Sequence, residues 1–338
     1  MAADDPQAQL QGALLAVSFA YYDGFPRAIS ILKPVLPSFS DDFGVCASLA
    51  FAAWVARDSE VCEWASKRCI ALKPKNLAGY LNLGMLMIWR SRFGEACAAL
   101  SAGIENCPVH GDQLRFWLGL AQRRMHGKNL IEFEFDGLGF VFELATFNTH
   151  SIESAAHFVA GTLTEPDELR FVRGWIGHCD VIVEVGAAVG NHTLYFAKAL
   201  KPKKLLVFDA DPAAVRQIEK NASLNRSSLG DTEIVVRNAA IGAGSGRQVI
   251  FDRECEIVAL DDHVHAKVDF LKIDVDGMEL QVLEGAKALI VRDRPKIMIE
   301  VCAAALEGFL AFVSEHGYSI VHQIVRPGDT NYFVAPGG

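Results

Sequence analysis

Apolar positions in the first third of the chain keep helical spacing, and they repeat. With starts at residues 9, 43, 77 and 111, the same residue class returns every 34 positions. The seventh position of each copy holds Leu15, Leu49, Leu83 and Trp117, and the eighth holds Ala16, Ala50, Gly84 and Leu118. The twentieth holds Ala28, Cys62 and Ala96, and the twenty-fourth Leu32, Ser66 and Leu100. Small residues at eight and twenty let two antiparallel helices approach, and large ones at seven and twenty-four fill the seam. Pro74 and Pro108 stand near the end of their copies, where a missing amide donor stops the second helix; the first copy has Ser40 there. Residues 111–126 read as a closing helix that buries Leu114, Trp117 and Leu118.

The pattern then changes period. Residues 129–144 alternate apolar and polar around Asp136-Gly137, which predicts a β-hairpin. Thr164-Glu165-Pro166 opens a helix, with Thr164 or Glu165 as its cap and Pro166 in the first turn. Strands follow at 181–185, 205–208, 234–237, 270–275 and 296–301, separated by helices at 191–200, 212–224 and 279–290. A helix from 303 to 316 leads to two more strands, near 318–324 and 331–335. Such alternation predicts an α/β fold with a parallel, doubly wound, Rossmann-like sheet. The expected division is an all-α domain over residues 1–126 and the α/β domain over 127–338.

The 34-residue period resembles the tetratricopeptide repeat, most clearly from Asn76 through Tyr80, Gly84, Ala96 and Leu100 to Pro108. A generic helical bundle is the plainer alternative. The resemblance implies a concave surface for a protein partner, or self-association; a mere cap on the second domain is the other outcome. Trp54, Trp64 and Trp89 read as helix packing rather than as a ligand groove.

Composition narrows the function classes. Asp and Glu outnumber Lys and Arg 41 to 32, for a net charge of −9, which argues against a nucleic-acid binder. No apolar run has the length of a membrane span, and Met1-Ala2-Ala3-Asp4-Asp5 lacks the basic start of a secretory signal. The eight cysteines contain no Cys-x-x-Cys pair, so buried thiols and a cytoplasmic location are expected. Asp261, Asp262, His263 and His265 lie close together, but Leu260-Asp261-Asp262-His263 also reads as a helix start, and no metal is expected.

The chemistry sits at the strand ends, where open α/β sheets bind ligands. The first parallel strand runs into Glu184-Val185-Gly186-Ala187-Ala188-Val189-Gly190. Gly186 permits a tight turn with backbone close to a ligand, and Gly190 a close helix. The second strand ends in Asp209, 23 residues after Gly186, where a carboxylate can accept from both hydroxyls of a ribose. A dinucleotide would require glycine where Glu184 stands. S-adenosylmethionine carries no phosphate, and its ammonium group suits an acid at the start of the turn. That argues against a nicotinamide-dependent oxidoreductase.

From about 165 to 335 the chain resembles the FkbM-type methyltransferases. The motif Asp-x-Gly-Ala-Asn-x-Gly corresponds to residues 184–190, and Phe-Glu-Pro-x-Pro to Phe208-Asp209-Ala210-Asp211-Pro212. Asn238-Ala239-Ala240-Ile241-Gly242 matches the stretch near adenine. The most specific match is Lys272-Ile273-Asp274-Val275-Asp276-Gly277-Met278-Glu279, and Glu300 follows in the family's order. Glu184, Ala188, Asp209 and Asp276 stand where the family has Asp, Asn, Glu and Glu. The resemblance implies an S-adenosylmethionine-dependent O-methyltransferase acting on a hydroxyl of a sugar, glycan or small natural product. The implied cofactor residues are Glu184, Gly186, Ala187, Gly190, Asn191, Asp209, Ala210, Asn238, Ala239 and Asp274.

Methyl transfer to oxygen needs alignment and removal of a proton. Lys272, Asp274 and Asp276 alternate along one strand, so their side chains lean to one face. Asp274 or Asp276 is the candidate base, Lys272 its ion-pair partner and Glu300 a further candidate; an ion-pair network that only shapes the sheet end is the alternative. His192 stands just past the turn, as a ligand contact or as a helix-cap neighbour. A second reading of the whole is a non-catalytic scaffold with a degenerate methyltransferase domain.

Overall fold

The structure, a computed structural model, describes residues 29–30, 33, 40–56, 58–143, 149–250, 253–275, 277–326 and 328–337. The chain divides into two compact units: Met1–Asn129 with Phe147–Ala160, and Leu130–Thr146 with Gly161–Gly338.

The described part of the first unit is helical. Helices α1 (Phe43–Val55), α2 (Ser59–Leu72), α3 (Leu77–Trp89), α4 (Phe93–Asn106) and α5 (Gly111–Met125) follow one another across short turns. Starts of α1, α3 and α5 are 34 residues apart, as are those of α2 and α4. Asp42, Asp58 and Asn76 cap α1, α2 and α3 by accepting from first-turn amides. Ala50, Cys62 and Ala96 are fully buried, and a Cβ on Gly84 would lie 2.5 Å from Leu100. The small positions therefore mark close helix approaches, as their spacing predicts. Leu15, Ala16, Ala28 and Leu32 lie outside the described residues. In α5 Leu114 is buried, but Trp117 and Leu118 are only half-buried, and Leu120 and Ala121 take the interior places. Trp54 and Trp89 pack edge to face at 6.1 Å, whereas Trp64 is 41% exposed. Helix α6 (Thr149–Val159) also belongs to this unit.

The second unit opens with a hairpin, β1 (Leu130–Phe135) and β2 (Leu138–Glu143), whose turn residues Asp136 and Gly137 both have positive φ. Helix α7 (Pro166–Ile176) leads to β3 (Val181–Val185), α8 (Asn191–Ala199), β4 (Lys204–Asp209), α9 (Pro212–Leu224) and β5 (Glu233–Asn238). After a small sheet of β6 (Ala240–Ile241), β7 (Gly246–Ile250) and β8 (Arg253–Val258) come α10 (Leu260–His263) and β9 (Phe270–Ile273). The chain continues through α11 (Glu279–Gly285), α12 (Lys287–Asp293), β10 (Lys296–Cys302), α13 (Leu306–Glu315), β11 (Tyr318–Val325) and β12 (Asp329–Pro336). Among the described residues the main sheet has the order β11-β12-β10-β9-β3-β4-β5.

This sheet is mixed, which corrects the expectation of a parallel one. Strands β10, β9, β3, β4 and β5 are parallel, while β12 runs antiparallel to both β10 and β11. The link from β11 to β12 is too short for a crossover, so those two strands can only pair as a hairpin. The small sheet β6–β8 had no expectation in the sequence. The single helix expected over 279–290 is broken at Ala286 into α11 and α12. A Cβ on Gly285 would come within 1.9 Å of the Gly242 carbonyl, which shows how closely α11 abuts the chain after β6.

Period-two alternation divides the strand residues between two faces. Val183, Val185, Leu271, Ile273, Ile297 and Ile299 share a buried core with Val282, Leu289 and Phe309 of the helices that follow. Ile182, Glu184, Phe270, Lys272 and Met298 alternate with them and face the other way. There Phe196 of α8 meets Phe270 edge to face at 5.4 Å, and Trp175 of α7 meets it at 6.4 Å. Two charged residues thus lie on an otherwise apolar buried surface.

Candidate functional site

The carboxyl ends of β3, β4 and β9 converge. Gly186 has φ 77°, and a Cβ there would lie 1.7 Å from the Asp274 carbonyl oxygen. Its bareness serves the approach of β9's end. Gly190 has φ 81°, with Ile218 at an ordinary 3.5 Å from a built Cβ. The backbone turn, rather than a close helix, requires glycine there.

Asp209 holds this turn together. Its Oδ2 accepts from the amides of Ala187 and Ala188, each at 3.0 Å, and its Oδ1 from Asp211 at 2.9 Å. A carboxylate offers about four acceptor sites, and three backbone amides use Asp209 in this turn. Burial pushes this carboxyl above the usual range, against the pull of the three amides. Asn238 donates to the carbonyls of Asp209 and Ala210 at 3.0 and 3.1 Å, and the amide of Ala239 reaches Asp209 O at 3.1 Å. These residues stitch the ends of β4 and β5.

Glu184 does not open onto the strand ends. It is fully buried, its Oε2 accepts from the Thr193 hydroxyl at 2.7 Å, and Lys272 Nζ lies 3.9 Å from its Oε1. The alternation of β3 aims it at α8, where Thr193 receives it. Burial pushes the Glu184 carboxyl up, with Lys272 and His192 pulling against that. Asn191 holds Thr164: its side-chain amide accepts from Thr164 N at 3.0 Å and donates to Thr164 O at 3.2 Å.

Lys272 is 1% exposed and joins the parts. Its Nζ donates to Gly186 O at 2.6 Å and to Asp274 Oδ2 at 2.9 Å. Burial would lower it, but the carboxylates of Asp274 and Glu184 outweigh that and hold it above its ordinary value. Asp274 keeps a side chain 32% exposed. Glu300 lies half-buried on β10, next to Asn331 of β12. Asp276 lies outside the described residues.

The sequence reading missed Glu165. It is the N-cap residue of α7, as the sequence allows, at φ 53° and ψ 52°, but its side chain makes no capping hydrogen bond. Its carboxylate turns to His192 Nε2 at 3.1 Å and to Asn331 Nδ2 at 3.0 Å. Burial would raise its pKa, but His192, Lys272 and Asn331 outweigh that and hold it low. Next to it Arg326 forks onto the fully buried Glu168 at 2.5–2.7 Å. No spacing rule joins residues 165, 192 and 331; the one local hint is the acid before Pro166.

The Asp261–His265 group is dispersed into other work. Asp261 caps α12 by accepting from Ala288 and Leu289, and His263 Nδ1 lies 3.3 Å from Arg237. Among the described residues no three metal-ligating side chains gather, and no helix is long and apolar enough to cross a membrane.

Residues 184–320 match the model of the methyltransferase FkbM domain. No curated protein matches the chain significantly. Among solved structures, the chain is similar to methyltransferase FkbM from Methylobacillus flagellatus KT at 16% identity and a TM-score of 0.41. The match covers 68% of this chain and 61% of that one. It is similar at 15% identity to ribosomal protein L11 methylase from Lactobacillus delbrueckii subsp. bulgaricus, covering 51% of this chain and 76% of that one, with a TM-score of 0.38. TYW2 from M. jannaschii, in complex with AdoMet, matches at 17% identity over 61% of this chain and 84% of that one, with a TM-score of 0.35. Residues 184–320 are accordingly an S-adenosylmethionine-dependent methyltransferase domain, preceded by a helical region.

Proposed function

We propose, from the premise that residues 184–320 are an FkbM-type methyltransferase domain, that the protein is an O-methyltransferase of a sugar, glycan or small natural-product hydroxyl. The observation that carries the reading is the turn at 186–190, tied at once to Asp209 and, through Lys272, to Asp274. The residues present fit the cofactor. Asp209, Asp274 and Glu300 bring negative charge to the strand ends, while Lys272 is occupied by its own carboxylates, which suits a cationic sulfonium ligand. Ala187, Gly190, Ala210 and Ala239 would line its bed.

Bound there, S-adenosylmethionine supplies an already activated methyl group. The protein's task is alignment and proton removal. Asp274, fixed by Lys272, would bind the acceptor hydroxyl and take its proton, with Asp276 and Glu300 as the other candidates from sequence. Glu184 and Asn191 act behind this layer: one holds Lys272 and α8, the other the approach to α7. We further take residues 1–126 as a tetratricopeptide-like domain and 127–338 as the catalytic domain of a cytoplasmic enzyme. The 34-residue recurrence of the helix starts supports the repeat, whose exposed face would receive a protein partner or a second copy.

The test is calorimetry with S-adenosylmethionine on the wild type and on Asp209→Asn. An amide cannot accept from all three backbone N–H groups, so micromolar binding, about −8 kcal/mol, should weaken at least tenfold in the variant. The second reading, a non-catalytic scaffold, is favoured by Ala188 in place of an asparagine. A folded wild type that binds no S-adenosylmethionine would establish it and sink the first.

A further inference from the structure

The hairpin β1–β2 stands outside the residues matched to the methyltransferase domain, yet side chains meet five of the six backbone groups on its free edge. The backbone groups of β2 that point away from β1 belong to Gly139, Val141 and Glu143. Asn225 accepts from Val141 N at 3.1 Å and donates to Val141 O at 2.6 Å. Asn221 accepts from Glu143 N at 2.8 Å, and Gln217 donates to Glu143 O at 2.8 Å. Lys198 of α8 donates to Gly139 O and, at 2.7 Å, to Asn225 Oδ1.

Residues 217, 221 and 225 lie at successive four-residue steps of α9 and its cap. Four helical residues rise about 6 Å, and two strand residues about 6.7 Å, so one helix face can stand in for a partner strand. Exposed edges are usually paired, charged or covered; here side-chain amides pair it. All three amides are at most 5% exposed.

One member of this ladder has a second duty. Asn221 Nδ2 donates at 2.8 Å to the carbonyl of Val189, inside the 186–190 turn. Its single amide therefore holds the hairpin with its oxygen and the turn with its nitrogen, with no water between. The hairpin's tip is anchored as well: Asp136 accepts from Arg170 of α7 at 3.0 Å and from Tyr195 of α8 at 3.2 Å.

We infer that Asn221 is a positioning residue that couples the 130–143 hairpin to the turn that receives the cofactor, through this one amide. This rests on the proposed function, in that the turn is taken as the cofactor's bed. Coupling of this kind is reciprocal: a ligand that fixes the turn must steady the hairpin through Asn221, and breaking the Asn221 link must weaken the ligand.

The experiment uses the full chain with S-adenosylhomocysteine as probe. In the wild type, saturating probe should slow amide hydrogen exchange at Val141 and Glu143. Asn221→Asp keeps an oxygen for Glu143 N but loses the donor to Val189 O; its dissociation constant should rise about tenfold, about 1.4 kcal/mol. Asn225→Asp damages the same ladder one turn away without touching the 186–190 turn. It should lower Tm comparably and leave affinity within about twofold. Equal losses of affinity in both variants would overturn the inference, as would hairpin exchange indifferent to bound probe. The exchange measurement needs no variant, so it decides the matter even if Asn221→Asp does not fold. A wild type that binds no probe overturns the functional reading itself, whereas binding with an unresponsive hairpin overturns the coupling alone.

Discussion

Ala188 sits at φ 50°, in the left-handed region, with no side-chain atom to gain from it. The family's motif has asparagine here, a residue that tolerates this conformation through local hydrogen bonds. The departure at Ala188 thus bears on strain in the turn. Ala188→Gly should raise stability by about 0.5–1 kcal/mol, read as a higher urea midpoint at unchanged slope. A lower midpoint would mean that the backbone relaxes out of this geometry. Gly186 is the opposite case. Gly186→Ala would drive a methyl group into the Asp274 carbonyl, against backbone that cannot yield. A loss of about 3 kcal/mol or more is expected, and a folded variant that melts like the wild type would refute that packing.

At the scale of elements, the strands were legible because burial on both faces leaves apolar runs, and β3, β9 and β10 fall where those runs lie. Small residues at fixed intervals foretold the helix contacts of the first unit for the same reason: sequence period maps directly onto one face. What no run displays is a strand's partner. Whether β12 pairs with β10, and in which direction, depends on chain returning from far away. The charged residues inside such runs were legible as a motif, but not in their directions. Lys272 and Glu184 lie on a buried face, and the lysine is the cation that holds two carboxylates and a turn carbonyl there. Lys272→Met should cost about 3–5 kcal/mol, because removing one partner of a buried pair strands the other. The added substitution Glu184→Gln should recover part of that loss; no recovery in the double variant would show that the two charges are not coupled.

Over the whole second unit, the buried charges leave a mark on acid stability. Glu165 titrates below the ordinary carboxylate value, so its contribution is complete above about pH 4.3 and is lost as pH falls through the lowered folded value. Glu184, raised by burial, acts with the opposite sign. Subtracting the curve of Glu165→Gln from that of the wild type isolates the first effect. The difference, from urea melts between pH 3 and 7, should be largest near neutrality and shrink on acidification. A difference independent of pH would mean that Glu165 is not held as the anion by His192 and its neighbours.

The sequence by itself determined the helical period of the first unit, the strand–helix alternation of the second, the glycine turn and the acids that flank it. These are properties of neighbours along the chain, and local sterics and side-chain period express them without reference to distant residues. Only the tertiary structure decided what each acid faces. It turned Glu184 inward and gave Asp209 to three backbone amides. It brought Glu165, His192 and Asn331 together across 166 residues of chain, and set Asn221 between a hairpin and a turn. Buried polar groups must find partners wherever the fold supplies them, and that supply is fixed by packing in three dimensions, which spacing along one does not encode.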